Sequence, residues 1–181
     1  MEKTKKGLGD RFTLRDGLWL GFCATFIVIA RAALRFKLSI PGHSQFFTMF
    51  FMLLGRAVVK RNGAAAFIGL VAGVLSLMLG MGRGGPLVIV RYMISGLVID
   101  LAFTLHPRIA ESYLLCVLVG GLAAGIRVVV LVVVEIIVGM DTVLVIQHAV
   151  LASFMNVAFG ALGSLMVPPV VRRLKAGGLV S

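Results

Sequence analysis

Apolar residues run in long blocks along this chain, separated by short breaks rich in charge, glycine or proline. The blocks predict six helices: about Gly17 to Ala33, Gln45 to Val59, Ala64 to Met81, Pro86 to Leu105, Ser112 to Val138 and Val143 to Val167. The breaks are RFKLSIPGHS (35–44), which turns at Pro41-Gly42, then KRNG (60–63), GRGG (82–85), HPRIAE (106–111) and GMDT (139–142). Pro86 suits the first turn of a helix, and Pro168-Pro169 is expected to end the sixth. At 1.5 Å per residue, a helix of about 20 residues crosses the ~30 Å hydrocarbon core of a bilayer. The expected fold class is therefore an all-α membrane protein, a compact bundle of six transmembrane helices. A basic lead (1–16) precedes the transmembrane domain (17–169), and a basic tail (170–181) with Arg172, Arg173 and Lys175 follows it.

Composition agrees with this pattern. The chain is 60% hydrophobic with a mean hydropathy of +1.07, against roughly 45–50% apolar residues in a soluble domain. Its 181 residues leave room for one domain. Charge then adds orientation. Lys and Arg number 18 against 7 Asp and Glu, a net +11. In a soluble protein that excess would suggest nucleic acid; here the cations lie between apolar blocks, where they set topology and meet anionic lipid headgroups. With an internal N-terminus, twelve cations fall in inner segments (Lys3, Lys5, Lys6, Arg11, Arg15, Arg56, Lys60, Arg61, Arg108, Arg172, Arg173, Lys175) and three in outer turns (Arg35, Lys37, Arg83). Both termini are expected to be cytoplasmic. The N-terminal lead is too long and polar for a cleaved signal peptide. Cys23 and Cys116 sit in apolar blocks, without the spacing of a disulfide framework or a metal site.

Small residues recur at four-residue spacing, which lets membrane helices approach closely. The sets are Gly17, Gly21 and Ala24; Ala65, Gly69 and Gly73; Gly121 and Gly125, flanked by Gly120 and Ala124; and Ala149, Ser153, Gly160 and Ser164. The inner sets suit packing within the bundle. The set on the first helix is a candidate for docking a partner protein.

Motifs of catalysis are absent: there is no HExxH, GxSxG or Walker sequence. Residues 80–85 formally match GxGxxG, but they follow an apolar helix instead of a strand and read as a tight turn. What remains are polar groups at membrane depth, which are costly there and are candidates for function. The expected orientation puts Arg31, His43, Gln45, Arg91, Tyr92, Arg127, Glu135, Gln147, His148 and Asn156 in the outer half, on five helices. Such a set describes a solute pocket with apolar walls and a few polar groups. Arg91 and Arg127 would offer guanidinium forks, Glu135 could neutralise one of them, and His148 and Asn156 could hydrogen-bond. Phe46, Phe47, Phe50, Phe51 and Tyr92 could stack on a ring. Simpler roles compete with these. Arg31 and Arg35 suit snorkelling to headgroups; Arg127 and Glu135, eight residues apart, could pair structurally; His43 could be a loop residue; the Phe run could face lipid or core. Asp100 lies toward the inner half and reads as a helix-packing or partner-facing group near Arg108 or Arg56.

At this point the chain resembles the S components of energy-coupling factor (ECF) transporters. The resemblance lies in IPGH (Ile40–His43), the run RNGAAAFIGLVAGVLSLMLG (Arg61–Gly80) and the GPLVIV that opens the next helix (Gly85–Val90). These are similar to S components of the thiamine-precursor (hydroxymethylpyrimidine) type. The resemblance implies capture of a vitamin or vitamin-precursor-like solute from outside and delivery with a T component and two ATPase subunits, in a prokaryotic cell membrane. No catalysis and no cofactor of the chain's own are expected, and the charge placement and cysteine spacing point to no nucleic-acid partner and no metal site. The resemblance also implies that Gly17, Gly21 and Ala24 dock the T component. The expected outer half holds more Arg than acid, which favours an anionic or neutral polar solute over a cationic one, or Arg and Glu paired off with one another. Two other classes stay open. One is a membrane-embedded enzyme using His106/Glu111 or Glu135/His148; the other is a structural subunit of a membrane complex.

Overall fold

A computed structural model describes residues 13–37, 43–80, 85–137, 139 and 142–177. Among them all the regular structure is helical: α1 Leu14–Lys37, α2 His43–Val58, α3 Ala64–Met78, α4 Leu87–Leu105, a one-turn 3-10 helix at Ile109–Glu111, α5 Tyr113–Ile137, α6 Thr142–Leu165 and α7 Val167–Ala176. Four stretches are long and apolar enough to cross a membrane: Leu14–Ala33, Leu87–Leu105, Tyr113–Val130 and Ala152–Ala176. At 16 and 15 residues, α2 and α3 are only about 24 and 22 Å long. The sixth expected helix also ends differently. Pro168 and Pro169 open α7 instead of closing the chain's last helix. Proline is tolerated in a first turn, where its missing N–H has no helical acceptor to lose.

The core is built on close backbone approach. A Cβ added at Gly73 would lie 2.8 Å from Ile89 Cα, and one at Gly96 would lie 2.7 Å from Ala66 Cα. Gly69 meets the Tyr92 carbonyl in the same seam. Between α5 and α6, a Cβ added at Gly160 would lie 2.7 Å from the Ala124 methyl group, and Gly120 faces Ser164, while Gly163 faces the Phe46 backbone on α2. Side chains that would hold these backbones apart are missing at those positions, so dispersion contacts run along the helices. The other faces carry exposed Leu18, Phe22, Phe26, Leu97, Leu118 and Phe154. An apolar exterior of this kind suits hydrocarbon, where each helix satisfies its own backbone groups. The phenylalanines of α2 pack edge-to-face in pairs, and Phe51 also meets α1: Phe50–Phe51 and Phe26–Phe51 ring centroids are 5.0 and 5.5 Å apart.

One end of the bundle is fastened by charge. Gly63 precedes α3 with φ +89° and supplies no side-chain cap. A helix start leaves its first N–H groups without partners. Asp100, on α4, fills that need by accepting from Ala66 N at 2.8 Å and Ala65 N at 3.3 Å. The same carboxylate pairs with Arg56 Nε at 2.8 Å. Arg56 also donates to Asn62 Oδ1 at 3.1 Å and lies 5.2 Å from the centre of the Phe103 ring. Of the two cations expected near Asp100, the fold brings Arg56. At this basic end Asp16 pairs with Arg61 at 3.3 Å, and Glu111 with Lys175 of α7 at 2.6 Å. Arg172 donates to the Glu111 carbonyl at 3.0 Å.

Removing one partner of a buried pair strands the other. Asp100→Ala is expected to cost about 3–5 kcal/mol of stability, read by thermal unfolding in detergent, with part recovered in the double variant Arg56→Met/Asp100→Leu. The Lys175 hydrogen bond and charge hold the Glu111 carboxyl below its ordinary value of 4.5. A lowered carboxylate pKa stabilises fully above the ordinary value and is lost as pH falls through the lowered one. Protection factors for α7 amides should therefore hold steady from neutral pH to about 4.5 and drop below it, and Lys175→Ala should remove that drop.

Candidate functional site

The buried centre of the bundle gathers polar side chains from four helices around Tyr92. Tyr92 is fully buried on α4, held there by the α3 seam at Gly69. Arg127, from the fourth turn of α5, lies over its face with the guanidinium carbon 4.1 Å from the ring centre. Arg31, from the far half of α1, donates to the Tyr92 hydroxyl and sits 5.7 Å from the ring centre. Gln45, in the first turn of α2, accepts from Arg127 Nη1 at 3.0 Å through Oε1. Gln45 and Arg127 are 3% and 7% exposed. A cation over an aromatic face is attracted by the ring quadrupole, more strongly when desolvated. Tyr92 thus keeps two guanidiniums near one another against their repulsion.

Sequence reasoning placed these groups unevenly. Tyr92 and Arg127, both named as candidates, lie against one another at the centre. Gln45 enters the centre directly, and Arg31, whose place near a helix end suited snorkelling to headgroups, instead turns inward to Tyr92. Arg91 is half-buried, one position from Tyr92 and so about 100° round the helix. His43 is half-buried at the start of α2, Asn156 is half-buried on α6, and Gln147 is exposed there. The side chains of Glu135 and His148 lie outside the described ones. The expected docking set on α1 divides: a Cβ at Gly17 or Gly21 would meet nothing within 4 Å, whereas Ala24 is wholly buried. The signal for Arg31 was its place within the apolar run of α1, because a guanidinium at membrane depth needs a partner.

A cleft of about 430 Å³ opens at the basic end, lined by Arg56, Lys60, Asn62, Phe103, Glu111 and Lys175 among others. Its Arg56 and Lys175 already hold carboxylates. Among the described residues no group of three or more His, Cys, Asp or Glu side chains is arranged to hold a metal ion.

An apolar exterior around a polar, charged centre defines a multi-pass membrane protein built around a polar site. Residues 17–127 match the family described as "ABC-type cobalt transport system, permease component", and the chain belongs to that family. The fold is similar to a solved structure described as "Crystal structure of an S-component of ECF transporter", with a TM-score of 0.67, 17% identity, and coverage of 93% of this chain and 88% of that one. No curated protein sequence matches the chain.

The Tyr92 ring and hydroxyl contribute separately to this centre. Tyr92→Phe keeps the face under Arg127 but removes the acceptor for Arg31, at an expected cost of about 1–3 kcal/mol. Tyr92→Ala opens a cavity as well and should cost about 3–5 kcal/mol. Thermal unfolding of the two variants in one detergent separates the contributions.

Proposed function

We propose that this protein is the substrate-binding S component of an ECF-type importer. It captures a vitamin or vitamin-precursor-like solute from outside and passes it inward with a T component and two ATPase subunits. The observation that carries this reading is the buried meeting of Arg31, Gln45, Tyr92 and Arg127 from four helices. A chain that needed only to pack would gain little from two guanidiniums at its centre, since apolar replacements are often as stable. Family membership and the S-component fold support the same reading. In this reading six helices lie in a prokaryotic cell membrane with both termini cytoplasmic, as the twelve-to-three division of cations favours. The short α2 and α3 are accommodated by local thinning of the bilayer. Gly17 and Gly21, open on the surface of α1, are the part of the stripe left to meet the T component. His43, Arg91, Glu135, Gln147, His148 and Asn156 are further candidates for contact with the solute.

The family is described by cobalt transport. Two guanidiniums repel a divalent cation, so the described centre favours an organic solute. Enzymatic use of His106/Glu111 is disfavoured, because Glu111 is engaged by Lys175.

The test is native mass spectrometry of the protein purified from cells with its transporter partners. A bound small molecule is expected in the wild type, with occupancy at least tenfold lower in Arg127→Gln, as loss of a charge-assisted contact implies. A wild type that carries no small molecule, or a variant that binds it equally well, would sink this assignment.

A further inference from the structure

The buried centre holds hydrogen-bond donors well in excess of acceptors. Among the described residues no Asp or Glu pairs with Arg31 or Arg127. The carboxylates in ion pairs there are Asp16, Asp100 and Glu111, each held by another cation at the basic end. A guanidinium has five N–H donors and no acceptor. Gln45 must therefore turn Oε1 toward Arg127, and this fixes its Nε2 as a donor. That Nε2 is buried and has no partner. Tyr92 accepts from Arg31 through its hydroxyl oxygen, which leaves the hydroxyl hydrogen to donate. Among the described side chains, the centre therefore carries two positive charges with no counter-ion and two further donors. Charges inside a membrane protein are normally paired or placed on a substrate path.

We propose that this cluster recognises an anionic group of the transported solute, a carboxylate or a phosphate. The proposal rests on the S-component reading and narrows its substrate class. An anion supplies what the centre lacks: acceptor lone pairs for Arg31, Arg127, Tyr92 and Gln45, and negative charge between two cations. Arginine suits this role because its planar fork matches the oxygens of carboxylate and phosphate. A cationic solute meets repulsion there, and a neutral ring leaves the charge uncompensated. A phosphate could also arrive on a lipid headgroup, so the test separates the two sources.

The full chain in lipid-free detergent is titrated with potassium phosphate, and separately with formate, against chloride at fixed ionic strength, and followed by thermal unfolding. Ligand that binds the native state raises the midpoint. The apparent affinity for phosphate or formate should be at least tenfold weaker in Arg127→Gln and in Arg31→Gln than in the wild type. Should Arg127→Gln not fold, the half-buried Arg31 and the variant Gln45→Leu carry the comparison. Equal responses in wild type and variants overturn the proposal. In parallel, the solute released from protein purified from cells is identified by mass spectrometry. A carboxylic acid or phosphate ester supports the proposal. A neutral or cationic solute overturns the anionic class but leaves the S-component reading standing, whereas release of no solute overturns that reading as well. In nanodiscs, displacement of phosphate by phosphatidylglycerol but not by phosphatidylcholine assigns the site to a lipid headgroup and overturns its role in transport.

Discussion

One carboxylate holds the basic end of this bundle together. Asp100 caps the start of α3 from a neighbouring helix and neutralises Arg56 from another. The geometry depends on Gly63, whose positive φ brings the chain into α3 without a side chain in the way. Three helices are thereby fixed at one end by a single buried group. The cost of burying it is offset only because hydrogen bonds and charge are both satisfied.

From that fixed end the glycine seams set the spacing. Gly69, Gly73 and Gly96 bring α3 against α4, and Gly120 and Gly160 bring α5 against α6. Close backbones leave little freedom for the residues between them, so Tyr92 has a set position when Arg31, Gln45 and Arg127 reach it. The polar centre is a product of apolar packing. Its four contributors are far apart in sequence and meet on a Tyr92 whose backbone the α3 seam fixes.

The sequence revealed the helices and their inward faces well, because long apolar blocks and four-residue glycine spacing are local signals. It was less informative where tertiary context decides. Pro168-Pro169 is compatible with ending one helix and with starting another, and only packing of α7 on the 3-10 turn through Glu111 and Lys175 chooses. Arg31 could reach outward or inward with the same stem. Asp100 was legible as a packing group, but its capping of α3 was not, because that role depends on the crossing of two helices. Tyr92 and Arg127 were legible as buried polar groups at similar depth. Their contact was not, since rotation about each helix is set by neighbours.

The Gly69 contact has a consequence for how such a site can change. Tyr92 presents its carbonyl to α3 and its ring to the arginines. A methyl group at residue 69 would touch no solute, yet it would push the tyrosine's backbone and shift the ring on which both cations rest. Substrate preference in this architecture can therefore be tuned from behind the pocket, by the width of a helix seam, with every recognition side chain left in place.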